Sequence, residues 1–278
     1  MKCLTASLLS CVFTFGFTIA QAETSQAETP IIDTHIHYSH DAWTITPPKK
    51  AIGILRDAGL QKAFVSSSSD EGTQMLYAEA PDLIVPVLRP YRWRGETGTW
   101  FRDESVIPML EELLAKNTYA GIGEFHIYGD NANLPVMRRV VELASEYQLF
   151  LHLHGDSDAV EHVFAQDPNA KILWAHSGFD DPYTIADMLK RYPNLTADLA
   201  FRNEHASNGK VESEWRELFL AFPDRIMVGT DTFSPERWYY IIDHADWSRE
   251  WLADLPKDVA EKIAYKNALA LAEWALPE

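Results

Sequence analysis

Short apolar runs alternate with longer amphipathic segments along this chain, and that rhythm limits the fold more than any other feature. Eight such runs cover residues 31–37, 62–66, 83–88, 119–125, 149–154, 171–176, 195–200 and 225–231. Repetition of a strand followed by a helix predicts a parallel sheet. Eight strand and helix pairs are the number that closes a (β/α)8 TIM barrel, so the fold class is read as α/β with one barrel domain. Helix boundaries agree with this frame. Pro48 precedes an amphipathic segment over 49–58, Asp103-Glu104 opens one to Lys116, and Asp180-Asp181-Pro182 starts one that stops before Pro193. Asn267-Ala268-Leu269 lie in a terminal helix expected to pack the barrel wall.

The first 22 residues read as an export signal. Lys2 supplies a basic start, an apolar stretch runs from Leu4 to Ile19, and Ala20-Gln21-Ala22 offers a small-x-small cleavage site. This predicts an exported protein, periplasmic or secreted, whose barrel domain spans residues 23–278. A lipoprotein signal around Leu8-Leu9-Ser10-Cys11 is the lesser alternative. A membrane span fits less well, because it needs about 20 apolar residues and Thr5, Ser7, Ser10, Thr14 and Thr18 interrupt the run. Both cysteines, Cys3 and Cys11, fall inside this segment, which leaves the remainder without a disulfide or a thiolate ligand. Any metal must then be held by nitrogen and oxygen. A net charge of −17 disfavours nucleic acid and anionic membrane as partners.

Most of the runs end in side chains that core packing would not choose. His35 and His37, two apart on one predicted strand, point to the same side, where two imidazoles can grip one ion. Asp33 on that face is placed to orient an imidazole. Glu124 ends a glycine-bearing run, His152 and His154 share the next face, and His176 and Asp231 each end a run beside small residues. A barrel collects residues from the carboxyl ends of its strands on one face. The set therefore predicts a divalent metal centre built by His35, His37, Glu124, His154, His176 and Asp231, with His152 and His126 as further ligands or supports. His154 is preferred over His152 because it lies nearer the strand end. His40, His162, His205 and His244 read as surface or packing residues.

The segments Asp33-Thr34-His35-Ile36-His37, Gly123-Glu124-Phe125, His152-Leu153-His154, Ala175-His176-Ser177-Gly178 and Gly229-Thr230-Asp231 together resemble the amidohydrolase superfamily, specifically its amidohydrolase-related, metal-dependent barrel hydrolases. The resemblance covers nearly the whole predicted mature chain. It implies that His35, His37 and Asp231 hold one ion, that the strand-five and strand-six histidines hold a second, and that Glu124 bridges them. The doubled histidine on strand five departs from the commonest pattern, which leaves the ligand there open.

The chemistry expected is hydrolysis of a C–N or C–O bond in a small amide, lactone or ester. One or two zinc ions would activate water, and Asp231 would shuttle its proton. A decarboxylase or hydratase using one ion is the alternative, and a non-catalytic metal-binding barrel a third. Arg89, Arg92, Arg94 and Arg202, near the ends of strands three and seven, are candidates to clamp an anionic substrate; of these, Arg89, Arg92 and Arg202 are preferred. Tyr91, Trp93, Trp100 and Tyr128 are candidates for an aromatic wall.

Overall fold

A computed structural model describes residues 29–277 of the chain. The predicted signal segment, with Cys3 and Cys11, lies outside the described residues. Eight parallel strands, β1 (Ile31–Ile36), β2 (Leu60–Ser66), β3 (Ile84–Leu88), β4 (Gly121–His126), β5 (Phe150–His154), β6 (Ile172–Trp174), β7 (Leu195–Asp198) and β8 (Ile226–Met227), pair in chain order. The seam between β8 and β1 is closed by backbone bonds from Thr34 N to Val228 O at 3.0 Å and from Asp231 N to His35 O at 2.8 Å. The predicted barrel is thus present, and each strand overlaps one of the apolar runs.

Helices α1 (Pro48–Asp57), α2 (Asp70–Glu79), α3 (Val106–Lys116), α4 (Pro135–Glu146), α5 (Ser157–Gln166), α6 (Pro182–Arg191), α7 (Ser213–Ala221) and α8 (Ile241–Leu252) follow the strands in turn. Their starts use ordinary local chemistry. Proline occupies the first turn of α1, α4 and α6, where its missing N–H costs no bond. Asp156 caps α5 through Ala159 N, and Asp181 caps α6 through Tyr183 N and Thr184 N. A two-stranded hairpin, Ala206–Ser207 with Lys210–Val211, sits in the loop after β7.

Two layers of apolar packing hold the frame. One large cluster joins the strands to the surrounding helices. A second gathers Ile32, Phe64, Val85, Phe150, Leu173 and Met227 from the early parts of the strands with Ala268, Leu271, Ala272 and Ala275. Those last residues belong to α10 (Asn267–Ala275), which follows the short α9 (Lys257–Glu261). The terminal helix therefore packs on residues of the barrel interior as well as on its wall. It does so because its small alanines approach the strand ends closely. With one end of the barrel filled this way, the other carries the chemistry. Among the described residues no helix is long and apolar enough to cross a membrane.

Candidate metal centre

The carboxyl ends of β1, β4, β5, β6 and β8 bring five imidazole or carboxylate groups around Glu124. His35 Nε2 lies 3.5 Å from Glu124 Oε1 and His37 Nε2 3.3 Å from Oε2. His176 Nε2 is 3.4 Å from Oε1. Asp231 Oδ1 is 3.4 Å from His37 Nε2 and 3.9 Å from His35 Nε2. His35, His37, Glu124, His176 and Asp231 are all buried, so these atoms are withdrawn from bulk water. His35 Nε2, His37 Nε2 and Asp231 Oδ1 have no hydrogen-bond partner among the described residues. Three orphaned buried polar atoms aimed at one point are costly unless something binds them.

A divalent cation fits these donors. Two ligand atoms each about 2.1 Å from a tetrahedral ion stand about 3.4 Å apart, which is the spacing seen here. The donor set is nitrogen and oxygen only, as zinc and similar ions accept. Tautomers agree as well. His37 Nδ1 donates to Ser66 O at 2.7 Å and His176 Nδ1 to Ala200 O at 2.9 Å, which leaves each Nε2 lone pair facing the centre.

The segments that aim these groups leave ordinary backbone geometry. His176, Ser177 and Gly178 all have positive φ, and so does Asp231 at 55°. A run of non-glycine residues in the left-handed region is uncommon and concentrates at functional sites. Gly123 matters for closeness. A Cβ there would lie 2.2 Å from His152 O, so only glycine lets β4 approach β5 and deliver Glu124.

Burial and charge act together on the centre. Burial disfavours charge on His35, yet the carboxylates of Asp198 and Glu124 outweigh it and hold its pKa well above the ordinary value. Burial would raise Glu124, but the surrounding imidazoles outweigh it and hold it well below the usual carboxylate range. His37 is lowered by burial and by Arg89. A ligating His35 must give up its Nε2 proton, so cation uptake weakens as pH falls.

The two strand-five histidines have different surroundings. His152 is buried and its Nε2 donates to Asp198 Oδ2 at 3.0 Å, and burial with His35 nearby lowers its pKa to about 4. His154 is nearer the opening, and its Nδ1 meets Glu124 Oε1 at 2.7 Å, a hydrogen-bond distance. His126 stacks on His154 with ring centroids 4.0 Å apart and accepts the Tyr91 hydroxyl at Nδ1, 3.0 Å away. Burial lowers its pKa to about 3.

Asp198 on β7 was not among the residues the sequence singled out. It is fully buried, accepts His35 Nδ1 at 3.1 Å, and takes the backbone N–H of His176 at 2.8 Å. An acid inside the apolar run 195–200 was the available signal, since a buried carboxylate needs partners. Asp33, expected to orient an imidazole, instead accepts Thr230 Oγ1 at 2.6 Å and the backbone N–H of His35 at 3.0 Å. It ties β1 to β8 and leaves the ring to Asp198.

The expected anion clamps are occupied by protein groups. Arg89 donates to Glu124 Oε2 at 2.6 Å and to Glu124 O at 3.1 Å. Arg92 is held by Glu96 and Asp103, and Arg94 by Asp41. Arg202 is buried, donating to His176 O and Asp180 O, both at 2.7 Å, and to Glu204. Tyr91 and Trp100, expected in an aromatic wall, are buried beneath the mouth. The Trp100 indole donates to His126 O. Trp93 and Tyr128 are exposed, as are Phe179, Phe201 and Phe233.

Comparison with known proteins agrees with this picture. An uncharacterized TIM-barrel protein from Bordetella bronchiseptica superposes with a TM-score of 0.64 at 14% identity, covering 88% of this chain and 99% of that one. A protein from Pseudomonas putida assigned as a 2-pyrone-4,6-dicarboxylic acid hydrolase gives 0.63 at 15% identity, over 89% and 99%. One from Acinetobacter baumannii with the same assignment, with citric acid bound, gives 0.54 at 12%, over 87% and 98%. At these identities the likeness establishes the fold alone. A search of curated proteins gave no match. The amidohydrolase family profile matches residues 32–271, a span that takes in the eight strands except Ile31 at the start of β1, and every residue of the centre described above. The chain belongs to the amidohydrolase family and is a metal-dependent hydrolase.

Proposed function

We propose that this protein, exported by its amino-terminal segment, hydrolyses a C–N or C–O bond in a small amide, lactone or ester. The observation that carries the reading is the convergence of His35 Nε2, His37 Nε2 and Asp231 Oδ1, buried and without partners among the described residues. In this reading His35, His37 and Asp231 hold one zinc or similar ion, Glu124 and His176 extend the set toward a second, and His154 is the strand-five ligand. A divalent ion in this place supplies Lewis acidity, bringing the pKa of coordinated water toward about 7 and polarising a substrate carbonyl.

The protein's own groups supply the rest. Asp231 accepts a proton from the attacking water at a carboxylate oxygen and returns it to the departing nitrogen or oxygen, so that one bond is cleaved and one water consumed. Asp198 holds the His35 ring in the orientation the centre needs. Arg89, bound to Glu124 Oε2, fixes the position of that carboxylate. His126 and His154 stack beside Glu124, where they can line a bound substrate.

The test is metal stoichiometry in the purified protein, measured together with turnover of a mixed ester, lactone and amide panel. One or two zinc equivalents with turnover support the reading. A protein that takes up no divalent ion, or that holds it without cleaving any member of the panel, overturns it.

A further inference from the structure

Arg237 lies in the loop after β8, and unlike the arginines the sequence pointed to, its guanidinium pairs with no carboxylate among the described residues. Its Nε and Nη2 donate to the backbone carbonyls of Asp231 and Thr230, the latter at 2.6 Å. Those two atoms form one edge of the planar fork. The terminal edge, which carries Nη1 and the second Nη2 hydrogen, makes no hydrogen bond and no ion pair among the described residues, where no carboxylate lies within 4 Å of this guanidinium. Two exposed rings flank it. Phe201, after β7, lies 4.7 Å from the guanidinium carbon and Phe233, after β8, lies 5.4 Å from it.

This is the geometry of a preset anion receptor. A guanidinium anchored by one edge has lost its rotational freedom in advance, so less is lost when the second edge binds. Half-burial between two rings removes competing water, and the terminal edge matches the two oxygens of a carboxylate. Its backbone anchors are the carbonyls of Thr230 and of Asp231, itself a residue of the centre, so the guanidinium is tied to the segment that carries one of the candidate ligands.

Resting on the hydrolase reading above, we infer that Arg237 binds a carboxylate of the substrate at the mouth of the metal centre, and that the natural substrate carries such a group apart from the bond that is cleaved. Arg89, Arg92 and Arg202 do not fill this role because each already pairs with a carboxylate of the protein.

The experiment is calorimetric binding of dicarboxylates from malonate to adipate, each against the monocarboxylate of equal length, to the zinc-saturated protein, its Arg237→Gln variant and its Arg237→Lys variant. One carboxylate can meet the metal in either acid, so the ratio of affinities isolates the second. The wild-type protein is expected to prefer the best dicarboxylate by at least about tenfold, as a charge-assisted bidentate contact should give. That preference should vanish in Arg237→Gln and survive partly in Arg237→Lys. The ratio is insensitive to any general loss of metal affinity, because both acids need the same ion. Equal preference in wild type and Arg237→Gln, or no preference in wild type, overturns the assignment while leaving the hydrolase reading intact. A protein that takes up no zinc and binds neither acid overturns both.

Discussion

His35 donates its Nδ1 hydrogen to Asp198 at 3.1 Å, and this bond decides which nitrogen of the ring faces the metal centre. The same carboxylate takes His152 Nε2 and the backbone of His176, so one buried acid orders three strands. Asp198→Asn keeps the shape but gives up the charge that supports an imidazole donor. Zinc affinity, measured by competition with a chromogenic chelator, is expected to fall about 10- to 100-fold. Unchanged affinity would leave Asp198 a packing residue only.

Asp231 has a carboxylate oxygen without a partner, 3.4 Å from His37 Nε2. Asp231→Asn retains one oxygen donor while losing the base. Turnover should drop about 10²- to 10⁴-fold, with the circular dichroism spectrum unchanged and metal content assayed in parallel. Near-normal turnover at full metal content would remove Asp231 from proton transfer.

The barrel was legible because its strands repeat an apolar pattern, and most of the centre because His35, His37, Glu124, His176 and Asp231 end those strands. Glutamate and histidine at such positions conflict with core packing, which makes them visible without coordinates. Asp198 ends β7, but in the sequence it was hidden inside the apolar run 195–200, with Leu195 and Leu199 around it. Arg237 was hidden for another reason. Its partners are backbone carbonyls six and seven residues back, and no side-chain pattern reports such a bond. The engagement of Arg92 and Arg202 by nearby acids was equally invisible, since loop shape decides which charge meets which. The positive φ values of His176 and Ser177 have no signature in residue type.

His152 and His154 are two residues apart and should fail differently. His152 is buried against Asp198, so His152→Ala leaves a buried carboxylate short of a donor. It is expected to cost about 1–3 kcal/mol of stability, seen as a lowered urea midpoint. His154 is partly exposed and faces Glu124. His154→Ala should leave the midpoint nearly unchanged while lowering metal content or kcat. The reverse outcome would exchange their roles.

Gly123 is where β4 and β5 come closest. In Gly123→Ala the new methyl would meet His152 O at 2.2 Å and His152 Cβ at 2.7 Å, and neither can give way without moving a strand. A loss of about 1–3 kcal/mol is expected from the overpacking, together with lower metal affinity as Glu124 shifts. Thermal melting with and without zinc separates the two effects. A variant with wild-type melting would mean that the strands can part at no cost.

His205 lies away from the centre, buried among Trp215, Phe219, Trp247 and Trp251. Burial lowers its pKa to about 4, from the ordinary 6.5, and His244 nearby is lowered to about 4 for the same reason. Between these values the unfolded chain binds protons that the folded chain refuses, so stability rises with pH across that window. The contribution of neutral His205 is complete above pH 6.5, declines as pH falls toward 4, and levels off below. Over the full window it amounts to on the order of 3 kcal/mol. Urea melts at pH 7 and pH 4.5 should show the decline in the wild-type protein. His205→Phe keeps an apolar ring among the tryptophans but does not titrate, so its decline should be visibly shallower, with His37, His126, His152, His244 and the carboxylates still contributing. Identical slopes in the two proteins would mean that His205 is protonated in the folded state, and that the tryptophan cluster admits the charge.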